Sequence, residues 1–293
     1  ERKRGRARER EGCVVCGARR VKEGEFGDRG EARPTRLVHV HTWVRLIRVA
    51  SAASLSASAA SNMGRGPRGD GVETAPGDFD VYLLAQSWAP KFCCTNAKKC
   101  TAVPWAFSAK HLTLHGLWPG FLEPRDGATY PSSCAAKFKL LTDQMPRDYI
   151  DVAPSFTRWD PDRHIAIVGD LAKHEYKKHG SCSGLPPAQY FDEALRAMRE
   201  LPGDRGTPEI LTRNVGGTVD AAALRGEYRS RVALSADKHC RLAEVTSCWR
   251  KQPDGSVGEQ CDCPPHVMKG RDNGRCASLV VAQLGQCLAA DKR

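Results

Sequence analysis

Apolar residues in this chain gather into regular runs only after about position 79, and their spacing predicts a mixture of strands and helices. Val81–Trp88 is a nearly continuous apolar run and reads as a buried strand. His111–Leu117 alternates towards His115 and reads as a second strand, stopped by Pro119 and Gly120. Leu122–Ser133 lacks periodicity and reads as loop. Ala135–Met145 has helical spacing and ends at Pro146. Ile165–His179 is predicted as a helix with Asp162 as its N-cap and Gly180 as its stop. Pro187–Leu201 is another helix, with Tyr190, Phe191, Leu195 and Met198 on its apolar face, and Glu209–Thr212 is a short one. Leu242–Trp249 and Ser278–Gln283 read as strands, with a cysteine-rich loop holding Cys261 and Cys263 between them. Helices in the middle and strands at both ends predict an α+β fold: a central antiparallel β-sheet flanked by helices, rather than alternating βαβ units.

The N-terminal quarter breaks this pattern. Residues 1–76 are dominated by Arg, Glu, Gly, Ser and Ala and read as a disordered basic segment, with a linker from Gly64 to Gly77. Residues 77–293 form the expected folded domain, with ordered sequence beginning at Phe79. The division changes the meaning of the net charge of +11. Residues 1–75 hold 16 Lys/Arg against 9 Asp/Glu, net +7, whereas residues 76–293 hold 29 against 25, net +4. Contacts to a polyanion from the folded part therefore rest on a few placed cations rather than on a broad basic face.

Thirteen cysteines, eleven of them between Cys93 and Cys287, favour an oxidising compartment and structural disulfides. The count is odd, so at least one thiol is free or bonded to another molecule. Cys13 and Cys16 make a lone CxxC with no second ligand pair nearby, and no metal site is expected. No run of about eighteen apolar residues is present, so no membrane span is expected.

Two histidine-bearing stretches carry the chemistry. The first is Leu112-Thr113-Leu114-His115-Gly116-Leu117-Trp118-Pro119, and the second is His174-Glu175-Tyr176-Lys177-Lys178-His179-Gly180-Ser181-Cys182. On a helix, His174 would stack with Lys178 and Glu175 with His179, so four polar groups share one side. The two histidines of that stretch are five apart and diverge by about 140°, a poor arrangement for chelating one metal. Three imidazoles, a carboxylate and an ammonium suit proton transfer at a phosphate, since histidine titrates near working pH. An acid and a base on opposite sides of phosphorus should come from different segments, here a strand and a helix. Trp118 could offer a face for a nucleobase to stack on.

These residues resemble the T2 ribonucleases. His115-Gly116-Leu117-Trp118-Pro119 looks like the first active-site segment of that family, and His174 to Cys182 looks like the second. Gln86-Ser87-Trp88-Ala89-Pro90, with Phe92-Cys93, is similar to its opening strand and turn. The resemblance spans roughly residues 79–283. It implies a general base at His179, a general acid at His115 and a phosphate-holding His174. Glu175 and Lys178 would stabilise the pentacovalent transition state, and Trp118 would help form a base pocket. It further implies an endoribonuclease of single-stranded RNA, metal-independent and without cofactor, that leaves 2′,3′-cyclic phosphates and then 3′-phosphates. RNA is the expected partner of a monomer that is secreted or held in an endomembrane lumen, vacuolar or lysosomal. The family pattern also implies disulfides Cys93–Cys100, Cys134–Cys182, Cys240–Cys276 and Cys248–Cys263, leaving Cys94, Cys261 and Cys287 unassigned.

Three positions depart from that pattern. Gly120 stands where an acidic or amide residue usually follows the proline, Tyr176 replaces a Trp, and Ala172-Lys173 precede His174 where an aromatic is common. The residues assigned to proton transfer are intact, which favours an enzyme over a catalytically inactive RNA-binding or signalling homologue on the same fold. A metal-dependent hydrolase is disfavoured by the ligand spacing.

Overall fold

The computed structural model describes residues 71–287, apart from 97–99, 101–103, 105, 136, 141–144, 146–147 and 273. The basic N-terminal segment up to residue 70, with Cys13 and Cys16, lies outside the described residues. The chain that follows is bonded into the domain ahead of Phe79. Val72 N–H donates to the Tyr130 carbonyl (3.1 Å), Ser132 N–H to the Val72 carbonyl (2.8 Å), and Gly77 N–H to the Cys182 carbonyl (2.8 Å).

A five-stranded antiparallel sheet is the frame. Strand β1 (Val81–Trp88) lies between β2 (Leu112–Gly120) and β7 (Leu242–Lys251). The far edge of β7 pairs with β6 (Ala233–Ala236) over one half and with β8 (Val257–Cys261) over the other. Helix α1 (Ala89–Thr95) follows β1 directly. The β3–β4 hairpin (Thr157–Asp160 and Ile165–Val168) follows a short α2 (Tyr149–Val152). Next come α3 (Asp170–Glu175), a widened turn of π-helix (Tyr176–Gly180), α4 (Ser181–Ser183) and α5 (Pro187–Arg199). Beyond them lie α6 (Glu209–Thr212), β5 (Thr218–Asp220), α7 (Ala221–Gly226), α8 (Pro265–Arg271) and β9 (Ser278–Val280), with β5 paired to β9.

The sheet is covered on both faces. Tyr82, Leu84 and Trp88 of β1 join Tyr190, Phe191, Leu195 and Met198 of α5 in the main core. Val81, Leu83 and Ala85 face the other way, with Trp118, Cys248, Cys263 and Val267. The period-2 pattern of β1 thus separates a structural face from a face that carries the candidate site.

Five expectations from the sequence give way to local physics. Residues 165–168 are strand rather than helix: Ile165, Ile167 and the β-branched Val168 pair with β3. Asp160, not Asp162, accepts backbone N–H bonds here, from Asp162 and Arg163 (both 3.1 Å), and so shapes the hairpin turn. The helix starts only after Gly169. Strand β2 runs on through Pro119 and Gly120, because it is a sheet edge where the missing proline N–H costs no ladder bond. Within Ala135–Met145, residues 137–140 are not helical; Cys134 is bridged to Cys182, and 141–144 lie outside the described residues. Strand β8 occupies part of the predicted cysteine-rich loop.

Five disulfides close the described fold: Cys93–Cys100, Cys94–Cys287, Cys134–Cys182, Cys240–Cys276 and Cys248–Cys263. The Cys94–Cys287 bridge joins two cysteines that the sequence left unassigned. Cys261 is the free cysteine among the described residues, and partial burial raises its thiol pKa.

Candidate active site

A β-bulge sets the position of His115. Ala85 pairs with Gly116 and Gln86 with Leu114, so His115 is the extra residue of β2 with no partner on β1. The bulge also shifts the parity of the strand. Leu112 and Leu114 point into the main core before it, Leu117 points there after it, and Trp118 turns to the opposite face. His115 and Trp118, three apart, thereby meet edge to face with ring centroids 5.1 Å apart. An unbroken strand would place positions three apart on opposite faces.

The second stretch approaches from α3 and the π-turn. Widening the helix at Tyr176–Gly180 buries Tyr176 against Tyr190 and Phe191 while Lys178 and His179 reach the cavity. The end of this segment is pinned twice to the loop after β2. Cys134 is bridged to Cys182, and Ser133 N–H donates to the Lys178 carbonyl (2.8 Å).

The two segments enclose a cavity of about 590 Å³ whose wall includes His115, Trp118, His174, Glu175, Lys178 and His179. The structure therefore brings all six of the residues singled out in the sequence to one place. Trp118 is only 7% exposed, with the Arg271 guanidinium 4.4 Å above its ring. Its indole N–H donates to Glu175 Oε2 at 2.6 Å. Gly116 makes that bond possible: a Cβ there would lie 2.2 Å from Trp118 Nε1 and 2.7 Å from Glu175 Oε2.

The two principal histidines sit in opposite electrostatic settings. His179 is buried between the rings of Trp118 and Tyr130, at 5.4 and 5.8 Å. Its pKa is pushed down to about 3, first by burial and then by Lys178, His174, Arg271 and His115. It is therefore neutral at any ordinary pH. Partial burial alone would lower His115 as well. Its Nδ1 lies 2.7 Å from Glu244 Oε2, however, and the hydrogen bond and charge of Glu244, with the charge of Glu175, raise the net pKa above 6.5. His115 is thus biased towards the protonated form. Burial raises the Glu175 carboxyl against the opposing pull of the Trp118 N–H and the nearby cations.

Several residues in or behind the wall carry no signature in the sequence. Glu244, which backs His115, stands on β7, and the wall residues Ser235 on β6 and His266 and Arg271 on α8 join it, all more than fifty residues beyond either histidine stretch. Arg271 pairs with Glu244 Oε1 at 2.8 Å. Tyr130 lies in the loop after β2, with Lys178 Nζ 5.8 Å above its ring. Only the topology, which lays β7 beside β1 and α8 over the sheet face, reveals them. Among the described residues, no group of three or more His, Cys, Asp or Glu side chains converges as a metal-binding set.

The model of the Ribonuclease T2 family matches residues 79–212. A ribonuclease of Aeromonas hydrophila is 33% identical over 132 residues, covering 43% of this chain and 49% of that protein. The chain thus spans about half the length of that relative and more of two others. Ribonuclease DdI of Dictyostelium discoideum is 30% identical, covering 56% of this chain and 76% of its own length. Ribonuclease 1 of Arabidopsis thaliana is 32% identical, covering 67% of this chain and 85% of its own length. On this similarity, the chain belongs to the ribonuclease T2 family of RNA-cleaving enzymes.

Proposed function

We propose that the protein is an endoribonuclease that cleaves single-stranded RNA by metal-independent transesterification. The observation that carries this reading is a neutral His179 and a proton-biased His115 on the wall of one cavity that also holds Lys178 and His174. His179 takes the proton of the 2′-hydroxyl as the 2′-oxygen bonds to phosphorus. His115 delivers a proton to the 5′-oxygen as the P–O5′ bond breaks. A 2′,3′-cyclic phosphate remains, and water opens it to a 3′-phosphate with the two histidines exchanging roles.

Lys178 and His174 supply donors for the non-bridging phosphoryl oxygens, where charge accumulates in the transition state. With Oε2 held by Trp118, the Glu175 carboxyl is fixed on the cavity wall beside Lys178 and His174, where it helps to order the groups around the phosphorane. The buried Trp118 serves this reading chiefly by fixing Glu175 and by walling the cavity. Five disulfides fit a secreted or endomembrane-lumen protein. No helix among the described residues is long and apolar enough to cross a membrane.

The test is incubation of the purified protein with a defined single-stranded RNA in EDTA, with analysis of the product ends. Cyclic-phosphate ends that convert slowly to 3′-phosphates are expected. RNA left intact over a broad pH range would instead indicate a binding homologue, and activity lost in EDTA would indicate a metal-dependent reaction.

A further inference from the structure

We propose that Glu244 is a positioning residue for cleavage, holding His115 in the tautomer and orientation from which Nε2 gives its proton to the leaving 5′-oxygen. The proposal rests on the reading of His115 as the general acid.

The geometry is specific. His115 sits on a bulge, half exposed, where the ladder gives its side chain no fixed neighbour on β1. Left to itself, the ring could rotate or present either nitrogen. Glu244 Oε2 lies 2.7 Å from Nδ1 and its side chain is only 12% exposed, so Nδ1 is committed to the carboxylate and Nε2 is the nitrogen available to the cavity. Glu244 is itself immobilised. Its other oxygen, Oε1, accepts from Arg271 Nη1 at 2.8 Å and from Thr246 Oγ1 at 3.3 Å. Arg271 in turn is stacked on Trp118, and its backbone carbonyl accepts from Ser235 Oγ at 2.6 Å. A chain of contacts thus runs from α8 through β7 to the bulge of β2. After proton transfer the Nδ1–H tautomer is the one Glu244 retains, so the ring is set to take a proton back at Nε2 in the second step.

The same carboxylate could be merely one end of a β7–α8 ion pair. The two roles differ in what they do to the leaving group. A general acid matters for a basic 5′-alkoxide and little for a weakly basic 4-nitrophenolate. The experiment compares a dinucleoside monophosphate with a uridine 3′-(4-nitrophenyl phosphate) as substrates for wild type, Glu244→Gln, Glu244→Asp and His115→Ala, recording kcat and KM across pH. Glu244→Gln is expected to lower kcat on the dinucleotide roughly 10-fold or more, short of the about 10²-fold or greater loss for removing an acid outright. KM should hold, and the nitrophenyl ester should be nearly unaffected. The alkaline limb of the dinucleotide profile should move to lower pH. Besides His115, the ionisable groups on the cavity wall, Tyr130 from the loop after β2, His174, Glu175, Lys178 and His179 from α3 and its π-turn, and His266 and Arg271 from α8, are not substituted in the variant. Glu244→Asp keeps the charge and should recover part of both effects, which also serves if the glutamine variant folds poorly.

Equal losses on both substrates, or no loss and an unmoved limb, would overturn the role of Glu244 while His115→Ala still discriminates between leaving groups. If His115→Ala itself fails to discriminate, the general-acid assignment falls and this proposal with it.

Discussion

The indole N–H of Trp118 on β2 donates to Oε2 of Glu175 on α3 across 2.6 Å, joining the two histidine-bearing segments at their buried edge. Glu175 is 4% exposed, so loss of this donor leaves a buried carboxyl oxygen without a partner. Trp118→Phe should therefore destabilise the fold by about 1–3 kcal/mol. It should also lower kcat more than it raises KM, because Glu175 loses its fixed orientation. Urea unfolding and steady-state kinetics on the same preparation check both; an unchanged midpoint and rate would remove Trp118 from the positioning role. Gly116→Ala should disturb the same bond sterically, since its Cβ would fall 2.2 Å from the indole nitrogen.

Replacing either principal histidine by alanine should cost about 10²–10⁴-fold in kcat while RNA binding largely survives. Lys178 and His174, the proposed phosphate contacts, remain in both variants. The rate of the wild type should be greatest at mildly acidic pH. The acid limb belongs to protonation of His179, held far below 6.5, and the alkaline limb to deprotonation of His115, raised above it. The pH dependence of kcat/KM tests this assignment: each variant should lose one limb from its residual activity. Near-wild-type turnover in either variant would refute the mechanism.

Much of this site was legible because its chemistry is local in sequence. His115 and Trp118 lie within four residues, and His174 to His179 within six, so residue type and spacing alone point to proton transfer. What the spacing misjudged was the backbone beneath it. Ile165–Val168 has helical spacing but pairs as a strand, and the π-turn at Tyr176–Gly180 is invisible to a 3.6-residue period. The bulge at His115 is a pairing property and depends on β1, thirty residues earlier in the chain. Glu244, Arg271 and Tyr130 could not be singled out at all. A lone Glu in an alternating strand and a lone Arg ending a short helix are unremarkable until the fold lays them against His115 and Trp118.

The Cys134–Cys182 bridge closes a loop of 48 residues, for which the chain-entropy model gives about 4 kcal/mol. Replacing both cysteines by serine should lower the unfolding midpoint accordingly. Because the bridge also anchors the π-turn next to the Ser133–Lys178 backbone bond, kcat should fall in the folded variant as well. Denaturant titration with activity assayed well below the midpoint separates the two effects. Full activity in the folded variant would confine the bridge to stability.

His179 should also govern how stability responds to acid. An unfolded chain carries this imidazole near its ordinary pKa of 6.5, whereas burial and the neighbouring cations hold the folded group at about 3. Between those values the unfolded state binds the proton and the native state does not, so stability falls as pH falls. The stabilising contribution is complete above pH 6.5 and is lost progressively down to about pH 3, at up to about 1.4 kcal/mol per pH unit. His115 acts with the opposite sign: its folded pKa is raised, so its contribution is complete below 6.5 and lost as pH rises through the folded value. His179→Gln should therefore flatten the decline of the urea midpoint between pH 6.5 and 3, whereas His115→Gln should flatten the decline above 6.5. If His179→Gln leaves the acid-side slope unchanged, His179 is not held neutral in the folded protein, and its assignment as the general base loses its electrostatic basis.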